Sequence, residues 1–81
     1  MTERIEVIHQ TARRLGLPVR AAYSARQAAT ILGVGKGLIY GLVHSGRLRA
    51  LRVGRRIYVP VSELVRFLEE GEVPAGQGGG L

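Results

Sequence analysis

The stretch Tyr23–Pro60, YSARQAATILGVGKGLIYGLVHSGRLRALRVGRRIYVP, decides the architecture. Ser24 is followed three residues later by Gln27, the spacing of a capping box, and this opens a short helix, SARQAATIL. Ala28, Ala29, Ile31 and Leu32 supply its buried side, and Gly33 ends it. A second helix is predicted from about Lys36 to Ser45, with Ile39, Leu42 and Val43 on one face and Gly46 closing it. Beyond it, Leu51 and Val53 alternate with Arg52, and Ile57 and Val59 alternate with Tyr58. Period-two alternation predicts two strands. Gly54-Arg55 lies between them, and glycine at the first central position suits a type II′ hairpin turn.

Outward from this segment the signals thin. Pro60 ends the second strand, and Ser62 is the expected cap of a last helix, SELVRFLEE, with Leu64, Phe67 and Leu68 facing inward and Gly71 ending it. Upstream, Ile5, Ile8, Ala12 and Leu15 recur at spacings of three and four, predicting a first helix over residues 2–15 that Gly16 and Pro18 stop. Its apolar stripe is narrow, so this helix must dock on something or dimerise to persist. Tyr23, directly before the Ser24 cap, fits a hydrophobic staple. The last eleven residues, GEVPAGQGGGL, hold five glycines and are expected to be disordered. The predicted organisation is therefore an N-terminal amphipathic helix and linker (1–19), a central domain (20–71) and a glycine-rich tail (72–81).

Charge is segregated along the chain. Between Glu6 and Glu63 stand ten Arg/Lys residues and no Asp or Glu, and five of the ten lie in RLRALRVGRR from Arg47 to Arg56. The net charge of the 81 residues is +6. A fold made from this middle segment presents strong positive potential, and nucleic acid is the leading partner for such a surface. With no cysteine, disulfides and thiolate metal sites are excluded. No apolar run approaches the roughly 20 residues of a membrane span. The N-terminus also lacks the apolar core of a signal peptide, so the chain reads as cytoplasmic.

Helix, tight turn around Gly33-Val34-Gly35, second helix, basic hairpin and closing helix make a winged helix-turn-helix: a mostly α fold with a small β-hairpin, an extra N-terminal helix and a disordered C-terminal tail. Residues 22–70 resemble the excisionase-type family of small DNA-binding proteins, related to the DNA-binding part of MerR-type regulators. The matching stretches are YSARQAATILGV, LIYGLVHSGRLRALRVGRRIYVP and SELVRFLEE. The resemblance implies that the second helix enters the major groove of double-stranded DNA and the wing lies along an adjacent minor groove. It further implies an architectural role, in which several copies bind neighbouring sites, bend the DNA and bias a site-specific recombinase toward excision. A transcription regulator at promoter repeats is the alternative in the same fold. An RNA-binding protein and a protein-interaction adaptor are alternatives from other classes.

The candidate DNA-binding residues follow from position and charge. Arg55 and Arg56 occupy the hairpin tip with Arg52 on its flank, suiting a narrow electronegative minor groove. Arg47 opens the same basic segment. Lys36 starts the second helix, whose N-terminus itself favours phosphate, and Arg26 lies in the first turn of the preceding helix. At about 100° per residue, Gly37 and Gly41 fall opposite Ile39, Leu42 and Val43, with Tyr40 and His44 beside them. Where relatives carry polar or basic side chains, this face is nearly bare. Either the backbone approaches DNA closely, or direct reading is weak and selectivity comes from the wing and DNA shape; relaxed selection is the third explanation.

Other signals carry less. The run LGVGKGLIY is no phosphate loop, since G-x-x-x-x-G-K-[ST] needs glycine at position 30 and Ser or Thr at position 37, where the chain has Thr30 and Gly37. His9 and His44 have no acidic or cysteine partner at ligand spacing, and His9 is expected to face solvent. Tyr40 and Tyr58 serve phosphate contact and packing equally well. Catalysis, cofactors, metals and small-molecule substrates find no support in the residues.

Overall fold

In the computed structural model, which describes residues 2–71, seven elements follow one another: α1 (Thr2–Arg14), β1 (Ala22–Ser24), α2 (Ala25–Leu32), α3 (Lys36–His44), β2 (Leu51–Val53), β3 (Arg56–Pro60) and α4 (Val61–Glu70). The three strands form an antiparallel sheet in the order β1-β3-β2. The architecture is a winged helix-turn-helix, as the sequence predicts, with one strand more than the hairpin supplies. β1 escapes sequence reading because it ends on the Ser24 cap of α2 and is paired only with the distant β3.

The predicted capping box is present. Ser24 Oγ accepts from the Gln27 backbone N–H, and Gln27 Oε1 accepts from the Ser24 N–H. At its other end α2 closes on Gly33, whose φ of 74° belongs to the left-handed region that only glycine enters cheaply. The N–H of Val34 then donates to Ala29 O and that of Gly33 to Thr30 O, satisfying two terminal carbonyls and turning the chain into α3. The same pair of bonds closes α1 at Gly16 and α3 at Gly46.

The core gathers Ile8 and Ala12 of α1, Tyr23 of β1, four residues of α2, Ile39 of α3, Leu48, Val59 of β3, and Val61, Leu64 and Val65 of α4. Leu42, Val43 and Phe67 pack against it. The narrow stripe of α1 is thus docked on the domain, chiefly against α4 and α2. Leu15 is 46 % exposed, contrary to expectation, because the helix ends before it and Leu17 supplies the contact after the Gly16 turn. Leu68 is likewise exposed; Val61 and Val65 take the inward positions beside Leu64.

Ser62 is not the cap of α4. The helix begins one residue earlier, with Pro60 at the cap position and no side-chain cap. Strand β3 runs directly into it, and the Val61 N–H is satisfied by Ala21 O at 2.8 Å instead. Tyr23 is more than a staple. It is fully buried opposite Val59, and its hydroxyl donates to Pro18 O at 2.7 Å while accepting from the Arg20 N–H at 3.3 Å. This ties the linker to the sheet. His9 is half-buried, its Nε2 lying 2.9 Å from Arg20 O, and so does not simply face solvent. The glycine-rich tail expected to be disordered lies outside the described residues.

The hairpin register holds the largest departure. Val53 pairs with Arg56 across the two-residue turn, with Gly54 at φ 63° and no positive φ at Arg55, the pattern of a type II′ turn. Arg52 pairs with Ile57, so Arg52 shares the face of Ile57 and buried Val59. Leu51 and Val53 therefore point to the opposite side, 55 % and 61 % exposed. The apolar alternation of β2 is real, but its apolar face looks outward.

Replacing Tyr23 with Phe leaves the Pro18 carbonyl and Arg20 N–H without their shared partner. A loss of about 1–2 kcal/mol in unfolding free energy is expected from urea denaturation.

Candidate nucleic-acid interface

The turn at Gly33 sets α3 against α2, and the β2–β3 hairpin stands beside α3. Between helix and wing lies a continuous groove. One part is lined by Ser24, Arg26, Gln27, Lys36, Tyr40, Arg55, Arg56 and Ile57, and the adjoining part by Tyr40, Gly41, His44, Arg52, Arg55 and Ile57. Of the residues singled out in the sequence, all but Gly37 and Arg47 line this groove. Gly37 is exposed on α3 beside Lys36. Arg47 lies elsewhere, lining a separate hollow with Gly46, Arg66, Phe67 and Glu70.

The register of β2 is what aims Arg52 at α3. Alternation alone left its face open; pairing with Ile57 turns it toward the groove. At the other wall, Gly35 caps α3 in extended conformation without any side-chain hydrogen bond. The Leu38 N–H is taken by the Gly35 carbonyl at 3.1 Å, and no side chain caps the N–H groups before it, beside the Lys36 ammonium. That ammonium lies 6.0 Å from the Tyr40 ring centroid, at the outer reach of a cation–π contact.

No ion pair among the described residues involves Arg26, Lys36, Arg52, Arg55 or Arg56. The carboxylates of α4 are engaged elsewhere. Arg66 donates to both oxygens of Glu63 at 2.9 and 2.8 Å, to Glu70 at 2.7 Å and to the backbone carbonyl of Arg47 at 3.0 Å. Glu63 also accepts the Arg49 N–H at 2.9 Å. Glu69 meets Arg4 of α1 at 3.8 Å. With Leu48 sunk in the core between them, the backbone of Arg47 and Arg49 is held at three points where it enters the wing. The hydrogen bonds from Arg66, with partial burial opposing and the Arg49 N–H assisting, hold the Glu63 carboxyl at about 2 instead of 4.5. Arg66 is correspondingly shifted further upward by Glu63 and then Glu70. The sequence reading passed over Arg66, although Glu63, Arg66 and Glu70 at spacings of three and four on one helix are a signal for this network.

A profile of the helix-turn-helix domain matches residues 22–72. The chain belongs to this helix-turn-helix family. It is thereby a DNA-binding helix-turn-helix protein, with α2 and α3 as the two helices and the hairpin as the wing. Among curated proteins and solved structures, none matches the chain. Among the described residues no helix is long and apolar enough to cross a membrane.

The glycines on α3 of this helix-turn-helix are not required by the fold. A Cβ at Gly35, Gly37 or Gly41 meets nothing within 4 Å, and none of the three has a positive φ. Leu38, 53 % exposed, adds an apolar side chain between them.

Two outcomes follow. Gly37→Ala and Gly41→Ala each stabilise the protein by about 0.5–1 kcal/mol, read as a rise in thermal midpoint. For Glu63, a depressed folded-state pKa means that its contribution is fully present above pH 4.5 and is lost as the pH falls through about 2. The stability difference between wild type and Glu63→Gln, followed by denaturation against pH, shrinks across that window.

Proposed function

We infer that this chain binds double-stranded DNA as an architectural protein of excisionase type, with α3 in the major groove and the wing against the neighbouring minor groove. The observation that carries this reading is the groove between α3 and wing, lined by five cations that no carboxylate of the described chain neutralises. Arg55 and Arg56 at the tip, Arg52 on the inner wing face, Lys36 at the helix start and Arg26 in the first turn of α2 are spaced to meet phosphates on both sides of an inserted helix. Tyr40 and His44 supply further donors from α3. Arg47 contributes from the flank, outside the groove.

Base reading by α3 is weak in this account. Glycine at positions 37 and 41 offers backbone but no side-chain donors, so discrimination rests on the wing and on the shape and deformability of the duplex. Proteins that select by deformability bend their sites, which is what supports the architectural role. In that role the protein binds repeated sites, associates with further copies there and directs a site-specific recombinase toward excision. It acts by holding DNA, without catalysis of its own, on the nucleoid in the cytoplasm. A regulator of promoter repeats is the alternative. The exposed wing arginines also suit structured RNA, and competition between duplex DNA and RNA separates that reading.

Arg55→Ala combined with Arg56→Ala weakens binding to all duplex sequences and lowers the slope of log K against log salt by up to about 2 units. An unchanged slope removes the wing from the interface. Circular-permutation gel shifts show a bend; straight DNA argues against the architectural role and for the regulator.

A further inference from the structure

Helix α1 is docked by one face only. Ile5, Ile8 and Ala12 meet the domain. At about 100° per residue the opposite face is centred on Glu3, Val7, Gln10 and Arg14, with Glu6 and Arg13 on one flank. All six are exposed, Val7 by 58 %. The spacing 3-7-10-14 is that of the inward seam of a two-helix coil.

The charges on this face are sorted. Both acids lie in the N-terminal half and both bases in the C-terminal half, separated by Val7 and Gln10. Within one helix they are too far apart to meet. Among the described residues none of Glu3, Glu6, Arg13 and Arg14 forms an ion pair; the single cross-helix pair of α1 belongs to Arg4 and Glu69. Such a face is complementary to itself when reversed.

We propose that the outer face of α1 pairs antiparallel with the same face of a second copy of this chain. Centred between Ile8 and His9, the pairing sets Glu3 against Arg14 and Glu6 near Arg13 of the other copy, each twice by symmetry, with the two Val7 side chains flanking the axis. The exposed outer face of β2 offers no such match, because Leu51 and Val53 are bordered by Arg49, Arg55 and Arg56 and two copies there repel. One helix seam buries far less than the roughly 1,200 Å² of a stable interface, and the charge of +6 on each copy opposes it. The pairing is therefore weak in free solution. Copies on DNA gain from mM effective concentration and from neutralised charge. A two-fold contact of this kind arranges paired sites as inverted repeats. That consequence rests on the DNA reading; the pairing itself does not.

The charge order also suits the dipole of α1, so the decisive experiment mixes two faces instead of only reversing one. The chain has no cysteine, and Val7→Cys provides a unique cross-linking site near the axis. Disulfide formation is followed without DNA at about 0.15 M salt, where a Debye length of about 8 Å screens net charge but spares contact pairs. Val7→Cys links about tenfold or more faster than Val53→Cys, an equally exposed site away from the seam. Adding Glu3→Lys and Glu6→Lys makes the face wholly basic, and adding Arg13→Glu and Arg14→Glu makes it wholly acidic. Each variant alone falls to the control rate, and mixing the two restores rapid formation of the mixed dimer. Equal rates for Val7→Cys and Val53→Cys overturn the proposal. So does a mixture of folded variants, checked by circular dichroism, that links no faster than its components. Neither result touches the DNA reading, which the salt slope of the wing variants tests separately.

Discussion

The pairing of Tyr23 with Val59 holds the functional surface together. Both are fully buried, and they sit at the point where β1 and β3 cross the core. β1 runs without a loop into the capping box of α2, and β3 runs without a loop into α4. β3 also carries the wing strand β2 on its free edge. A single strand thus fixes three directions: that of the helix-turn-helix, that of the wing and that of the closing helix. In a domain with so little interior, this economy matters, because few other contacts are available to hold helix and wing at a fixed separation.

Charge is organised by the same frame. The acidic residues of α4 face Arg66, the Arg49 backbone and Arg4, and so serve as internal fasteners. An exposed ion pair alone contributes little. Here Glu63 is largely covered and binds both a guanidinium and a backbone N–H, so its value lies in fixing where the chain enters the wing. Among the described residues the cations of the groove are left without an acidic partner, which preserves their field for an external polyanion. Distance from the carboxylates, achieved by placing acids only at the chain ends, is what makes this separation possible.

Helix α3 shows a different compromise. Its inward face is conventional, with Ile39 fully buried and Leu42 and Val43 packed beside it. Its outward face gives up helix propensity at Gly37 and Gly41 for no gain within the protein, since neither close contact nor a positive φ calls for glycine there. The glycine closures at the ends of α2 and α3 and the packing of α3 on α2 compensate for that weakness. Nothing among the described residues requires the bare face.

Local signals were enough to establish the helices, the capping box, the glycine stops and the two-residue turn, because each depends on neighbours within about one helical turn, and the order of these elements pointed to the winged helix-turn-helix. The concentration of cations on the central domain was equally legible. What the sequence left open were facings. Alternation along Leu51-Arg52-Val53 is the same whichever side looks inward, and only pairing with Ile57 turned Arg52 to the groove and the apolar residues to solvent. Leu15 and Leu68 continued their helical stripes on paper, but lie where no second element reaches them. Ser62 had the residue type of a cap, yet the pairing of β3 with β1 brings the Ala21 carbonyl to the first N–H of α4 instead. Arg47 shared a segment with the wing arginines and was carried to another surface by Leu48, whose burial turns the chain between them. Sequence determined what each segment forms; contacts between distant segments decided which way each side chain faces.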